Sequence, residues 1–495
     1  MNCYGLGRKM DIKKIESYLS DSAVESAVVC ARRLIQSLPD QKAISNNRIL
    51  LAYGGGKDSS YMVAWVRYIQ GIIMAEKGDT FRLRIITNRH AGMNHMVMKN
   101  IDGVYKALGV YGDAAVECLI CDGLLIRRFE RFLEVPEELK LRNRTDVLMS
   151  GHLFQADARS TFCNACNLSM VNSFGMGAHL DGGVDIIVTG DSTKEQAAYY
   201  AWVRHLSRVF GIQSVVEGGR GFSQFLKVLD SVAGAYFGRI YGLDNLAAEH
   251  RVFYGLIRDP VFFNIYQDTR YDAGDHWRLL TEFLGFDFDE LMFSFSESDC
   301  GNPTLMAHIR GLRAETLLGR SYAEGVREYV NFAIGLMRQK DFPPSLIAEM
   351  EARYRNKSSI DRQRARAATF AKEAFDLSTE QIICMIYSPF TEFGNNLERY
   401  LSQQKIALSV AEVHTLLGGN GCACSMLKKK LEKLSGLSLE QLRQCYGNCL
   451  VVSLLEPKAH DPLSKILQRD PHKAVIDVAN NYSASGRAIE IISGR

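Results

Sequence analysis

Apolar and polar positions change period repeatedly along the N-terminal half of the chain. Ala23 to Leu38 carries apolar residues at helical spacing until Pro39, and Ser22 with Glu25 forms a capping-box pair at its start. Ile49-Leu50-Leu51-Ala52-Tyr53 is instead a short apolar run ending in glycines, the pattern of a buried parallel strand. From Asp58 to Ala75 the helical period returns, with Met62, Trp65, Val66, Ile69 and Ile73 on one face. The alternation then repeats. Strands are predicted at Leu83 to Thr87, Val116 to Ile120 and Val184 to Thr189, followed by helices at His95 to Leu108, Leu124 to Leu133 and Ser192 to about Val209.

Such alternation predicts an α/β fold whose parallel, doubly wound, Rossmann-type sheet spans residues 46–260. A helical N-terminal segment, 1–45, precedes it. After about Pro260 the strand signal fades, and 261–495 reads as mostly α-helical, with a second capping pair at Ser438 and Gln441. Ligands of parallel sheets bind outside the carboxyl ends of the strands. The residues after Tyr53, Thr87 and Thr189 therefore share one rim.

Composition narrows the class. The 495 residues are 47% hydrophobic and 23% charged, with 59 Lys plus Arg against 56 Asp plus Glu, a net charge of +3. A polybasic nucleic-acid coat is excluded, although a local basic surface is not. No apolar run approaches the ~20 residues that cross a bilayer, and the start, Met1 to Lys9, lacks the apolar stretch of a signal peptide. The expectation is a cytoplasmic protein with no membrane partner. In that reducing compartment the 12 cysteines mean metal, redox chemistry or core.

The chemistry concentrates in Tyr53-Gly54-Gly55-Gly56-Lys57-Asp58-Ser59-Ser60, between a predicted strand and a predicted helix. Glycines let backbone amides approach a ligand, and a helix start adds unpaired N–H groups and positive potential. Lys57 adds a cation, and Ser59 and Ser60 add hydroxyls. The loop is neither a Walker A sequence nor a G-x-G-x-x-G fingerprint; without a ligand it is a tight glycine turn.

Gly55, Gly56, Lys57, Asp58, Ser59 and Ser60 resemble the PP-loop, Ser-Gly-Gly-x-Asp-Ser-Ser/Thr, of the ATP pyrophosphatase (adenine nucleotide alpha hydrolase-like, HUP-like) superfamily, with Gly54 in place of the usual serine. The resemblance covers residues 46–260 by motif order. It implies that ATP is split to AMP and pyrophosphate through an adenylylated intermediate. On it, Gly54 to Ser60 cradle the phosphates, Asp58 binds Mg²⁺, and Ala52, Tyr53, Thr87 and Asn88 hold adenine.

Thr189-Gly190-Asp191-Ser192-Thr193-Lys194-Glu195 resembles the Thr-Gly-His-x-x-Asp-Asp segment of the tRNA-thiolating branch, with Asp191 replacing histidine. Asp191 and Lys194 are catalytic candidates with Gly190 as a binding one, or else the segment is an N-capped helix start. That branch also places a C-x-x-C between the two segments, here Cys163 and Cys166. On the resemblance they are catalytic candidates that hold a 4Fe-4S cluster with Cys300 as third ligand or work as a redox or persulfide pair; otherwise they form a structural zinc site with Cys422 and Cys424, or lie buried in a helix. Cys118 and Cys121 fall on opposite faces of a strand, and Cys445 and Cys449 on one helical face, so both pairs read as core.

Arg353-Tyr354-Arg355 through Arg366 is the strongest basic stretch, read as a solvated face or a nucleic-acid surface. Asp299, Asn302, His308 and Arg310 are candidate acceptor contacts. The function expected from the resemblance is adenylylation for sulfur transfer to tRNA or a small metabolite. The alternatives are amide or amidine formation with an amine nucleophile, and a non-catalytic nucleotide-binding module. Oligomeric state is not legible.

Overall fold

A computed structural model describes residues 12–189, 221–242, 246–268, 276–287, 302–339, 342–419, 425–450 and 473–493. Short α1 (Ile12–Glu16) and α2 (Asp21–Ser37) open it. The cap of α2 is Ser20, whose hydroxyl accepts the Ala23 N–H, two residues before the expected Ser22. Then come β1 (Arg48–Ala52), α3 (Lys57–Lys77), β2 (Arg82–Asn88), α4 (His95–Ala107) and β3 (Val116–Asp122), close to the periods read from the chain.

The expected helix from Leu124 to Leu133 is instead β4 (Leu125–Arg128), antiparallel to β3. Gly123, at φ +68°, reverses the chain in a two-residue turn that pairs Asp122 with Leu125. The Asp122-Gly123 turn signal outweighs a helical period too short to bury a face. After α5 (Glu137–Leu153) and α6 (Ala158–His179) the chain returns as β5 (Ile186–Thr189), then α7 (Phe222–Tyr241) and β6 (Val261–Asn264). The helix expected from Ser192 lies outside the described residues.

Six strands run in the order β4-β3-β2-β1-β5-β6, all parallel except β4, an arrangement compatible with a Rossmann-like fold. The strands thus continue past residue 260, because β6 pairs with β5. Its four residues, Val261-Phe262-Phe263-Asn264, are too few to carry a period.

Alternate strand residues enter two different cores, as period-two geometry requires. Ile49, Leu51, Ile85, Ile186 and Val188 join Trp65, Ile69, Val97 and Ile101 on the face covered by α2, α3 and α4. Leu50, Ile86, Leu119 and Ile187 join Leu148, Phe162 and Leu229 on the opposite face.

That second core continues into the C-terminal helices. Leu305 in α8 (Pro303–Leu317), Tyr329 in α9 (Tyr322–Gln339), Phe370 in α11 (Lys357–Phe375) and Met385 in α12 (Thr379–Tyr387) belong to it, with α10 (Pro344–Arg353) between. The Ser438–Gln441 capping box opens Leu439–Tyr446 as read from the sequence. A hairpin, β7 (Lys473–Ala479) with β8 (Arg487–Ser493), ends the described chain, so the region is not wholly helical. Buried Arg310 and half-buried Arg313 both donate to Glu490 of β8 and tie the hairpin to α8.

Candidate functional site

The chain leaves β1, moves outward through β2 and β3, and returns on the other side of β1 as β5. This reversal makes a crevice outside the carboxyl end of β1, where open α/β sheets bind ligands. The glycine loop occupies that position. Gly55 has φ +80°, and a Cβ there would lie 2.6 Å from Val97 Cγ1 and 2.9 Å from Ile101 Cδ1, so close packing on α4 also demands glycine.

Gly56 is the N-cap of α3 and supplies no side chain to the first turn. The N-cap therefore adds no side-chain acceptor to the leading N–H groups, which carry the positive end of the helix. Ser60 Oγ donates to the Gly56 carbonyl at 2.8 Å, Ser59 Oγ does so at 3.0 Å, and the Tyr53 hydroxyl donates to Ser60 Oγ at 2.9 Å. Both serine protons are thus committed to the loop's own backbone. Burial pushes the Tyr53 hydroxyl well above its ordinary range, so it stays protonated as a donor.

Lys57 is buried, with Nζ 2.6 Å from Asp58 Oδ2 and 5.2 Å above the Phe342 ring. The Asp58 side chain is 57% exposed. Ala52 ends β1 beside Ile86, and Thr87 and Asn88 follow at the end of β2. Thr189 ends β5 on the other flank. Gly190, Asp191, Lys194 and Glu195 lie outside the described residues.

Helix α6 carries Cys163 and Cys166. Its Gly177 packs over Ile86 and Leu50 in the middle of the sheet, and Ser169 Oγ donates to Asn88 Oδ1 at 3.3 Å at the strand end. At about 1.5 Å per residue, Cys166 and Cys163 stand roughly 4.5 and 9 Å further along the helix. The helix therefore overshoots the carboxyl rim. Cys163 is buried in the core, and Cys166 is half-buried. Among the described residues no group of three His, Cys, Asp or Glu side chains is placed to hold a metal ion. Cys300, Cys422 and Cys424 lie outside them.

Cys166 lines a cavity of about 30 Å³ with His90, Arg142, Asp146, Ser169 and His250. Buried Asp146 Oδ1 accepts from the Tyr241 hydroxyl and from His250 Nε2, the latter at 2.9 Å. The His250 ring stacks on Phe237 and Tyr241, with centroids 4.2 and 5.0 Å away. Asn143 Oδ1 accepts the Ala91 N–H at 2.8 Å and pins the loop after β2 against α5. None of His90, Asp146 and His250 was singled out in the sequence. The available signal was position: His90 follows a predicted strand by three residues.

Other sequence candidates are structural. Burial pushes the Cys118, Cys121 and Cys445 thiols up to about 12, which keeps them protonated and inert. Cys445 is in the Leu439–Tyr446 helix, whereas Cys449 lies beyond its end, so the two do not share a helical face. Asn302 caps α8 and His308 Nδ1 meets the Tyr322 hydroxyl at 2.8 Å. With Arg310 they are buried, not arrayed for an acceptor; Asp299 lies outside the described residues. In the basic stretch Arg353 pairs with Glu349 and Arg364 with Glu315, while Tyr354 is buried rather than offered for stacking.

Compared with known protein families, with curated proteins and with solved structures, the chain matches none.

Proposed function

We propose that the protein is an ATP-using enzyme of the HUP-like, PP-loop type. It splits ATP between the α and β phosphorus and leaves an acceptor adenylylated. The observation that carries this reading is the glycine loop at the reversal point of the sheet, running into a helix start whose N-cap, Gly56, has no side chain. A polyanion would fit there, because the loop offers backbone amides and a cation, Lys57. The walls at Ala52, Tyr53, Thr87 and Asn88 would receive the adenine.

Asp58 is the loop carboxylate that would meet Mg²⁺, which favours one or two carboxylates plus phosphate oxygens. Bound there, the ion would neutralise charge on the departing pyrophosphate. Lys57 now holds Asp58, so phosphate binding would exchange that contact for one between Lys57 and phosphate oxygen. The AMP group is then displaced by a sulfur or an amine nucleophile. A small metabolite is favoured over tRNA as acceptor, since Arg353 and Arg364 are ion-paired and Tyr354 is inside. The pair Cys163 and Cys166 has no third ligand among the described residues, so no step is assigned to a 4Fe-4S cluster or zinc.

The test is product identity. Protein incubated with ATP, Mg²⁺ and a panel of carboxylate, carbonyl and thiol metabolites should release AMP and pyrophosphate. Asp58→Asn and Lys57→Ala should each lower that release at least a hundredfold while keeping the circular dichroism of the parent. ADP with orthophosphate would refute the reading.

A further inference from the structure

The far end of the sheet holds a second concavity. A cleft of about 710 Å³ opens at the amino ends of β1, β2 and β3, where Arg48, Arg82 and Val116 begin those strands. At ~3.3 Å per residue along β1, Arg48 lies roughly 20 Å from Gly54 and the glycine loop. The cleft has the volume of a small-molecule site, about 300–1,000 Å³.

Four guanidinium groups line it, those of Arg48, Arg82, Arg84 and Arg128. Strand register brings them together. Arg48 stands opposite Arg82, and Arg82 and Arg84 share a face by period two. Arg84 stands opposite Glu117, and Arg128 of β4 opposite Leu119 on the same side of β3. Like charges directly opposite destabilise a sheet, so the grouping is costly unless an anion covers it. The chain supplies few. Arg84 is 1% exposed. Its Nε donates to Glu117 at 2.6 Å, its Nη1 to the carbonyls of Gly177 and Leu180, and its buried Nη2 has no acceptor among the described residues. Arg48 Nη1 also donates to carbonyls, those of Asp181 and Gly183. Arg82 and Arg128 are exposed and make no ion pair among the described residues. Of the carboxylates at the cleft, Asp113 is held by Arg67, which leaves Glu117 and Glu130 to face the arginines. Burial, then repulsion from Arg84 and Arg82, lowers Arg48 below the ordinary guanidinium value against the pull of Glu117 and Asp181.

We propose that this cleft binds a small phosphate monoester, at a site separate from the glycine loop. The arginines exceed the free carboxylates by two charges, and a monoester carries about −1.5 to −2 at pH 7. Guanidinium forks match the terminal oxygens of such a group. Arg82 and Arg128 would meet those oxygens together with Arg48, while Arg84 adds positive potential from the buried floor. Tyr111, 44% exposed in the same cleft, is fixed by its hydroxyl, which donates to Asp102 at 2.9 Å. Its ring is left to pack on the carbon part of the ester. No bond is made or broken.

The proposal does not rest on ATP binding, and its test contains no nucleotide. The full chain would be titrated with phenyl phosphate by calorimetry, and saturable binding with Kd at or below about 1 mM is expected. Arg82→Gln and Arg128→Gln should each weaken it about tenfold or more, as loss of a charge-assisted hydrogen bond does. Lys57→Ala should leave it unchanged. Succinate, a dianion without phosphorus, should bind about tenfold more weakly than phenyl phosphate. Both arginines are exposed, so their variants should keep the parent's circular dichroism; if one does not, the other decides. Absence of saturation, or affinity indifferent to both arginine variants, overturns the proposal. Succinate binding as tightly as phenyl phosphate overturns the ligand class. Binding lost in Lys57→Ala and kept in both arginine variants would put the phosphate in the glycine loop and refute this site alone. Absent pyrophosphate release with phenyl phosphate binding as expected would refute the ATP reading alone.

Discussion

The ammonium of Lys57 stands 5.2 Å above the ring of Phe342, and that ring meets Trp277 edge-on with centroids 5.5 Å apart. A residue of the glycine loop is therefore roofed by aromatic side chains from far along the chain. The roof helps to explain how a lysine can be almost fully buried: among the described residues its charge meets half-exposed Asp58 and the negative face of a ring.

Phe342→Leu keeps most of the buried volume and removes the ring face. A cation over an aromatic contributes about 0.5–2 kcal/mol, so urea denaturation should register a loss of that size. If ATP is the ligand, its KM should also rise severalfold. An unchanged unfolding midpoint would mean that Asp58 alone accounts for the burial of Lys57.

Gly55 and Gly54 should behave oppositely. Gly55→Ala meets Val97 and Ile101 and forces an alanine to φ +80°, which together cost roughly 2–4 kcal/mol. Gly54 is half-buried and outside the left-handed region, so Gly54→Ser should cost no more than about 1 kcal/mol. Thermal unfolding of the two variants gives the comparison directly.

Arg89 grips both oxygens of Asp122 at 2.7 and 2.8 Å, and both side chains are buried. Asp122→Asn leaves the Arg89 charge without its counter-ion and should destabilise by about 3–5 kcal/mol. Arg89 immediately precedes His90, so hydrogen exchange should rise at the end of β2 before it rises at β1.

Acid should weaken the fold in two stages. Burial pulls His152 and His308 from the ordinary 6.5 down to about 4. The unfolded chain then binds protons that the folded one refuses. Stability is full above about pH 6.5 and falls towards pH 4. Glu490 is pushed down to about 2 by Arg313 and Arg310 against the opposing effect of burial. Its contribution is present above the unfolded value near 4.5 and is lost as pH falls towards 2. Melting temperature against pH should show both stages, and His152→Gln should flatten the first.

What the residues decide locally could be read along the chain. The apolar run Ile49 to Ala52, the glycines after it and the helical period from Asp58 place a strand, a turn and a helix within a few residues of their observed bounds. Each depends on neighbours in sequence, through steric freedom at Gly55 and burial of one face. The Asp122-Gly123 turn was equally local and went unread. Tertiary structure decided the rest. No period in α6 reveals that it overshoots the sheet, because its length is set by residues and its position by packing of Gly177 on Ile86. Nor does spacing bring Asp146 to His250 or Phe342 to Lys57, contacts that join segments 104 residues apart in the first pair and lie across the whole sheet domain in the second. Such pairs form only when the apolar faces flanking them are buried together, a condition on the whole chain rather than on any stretch of it.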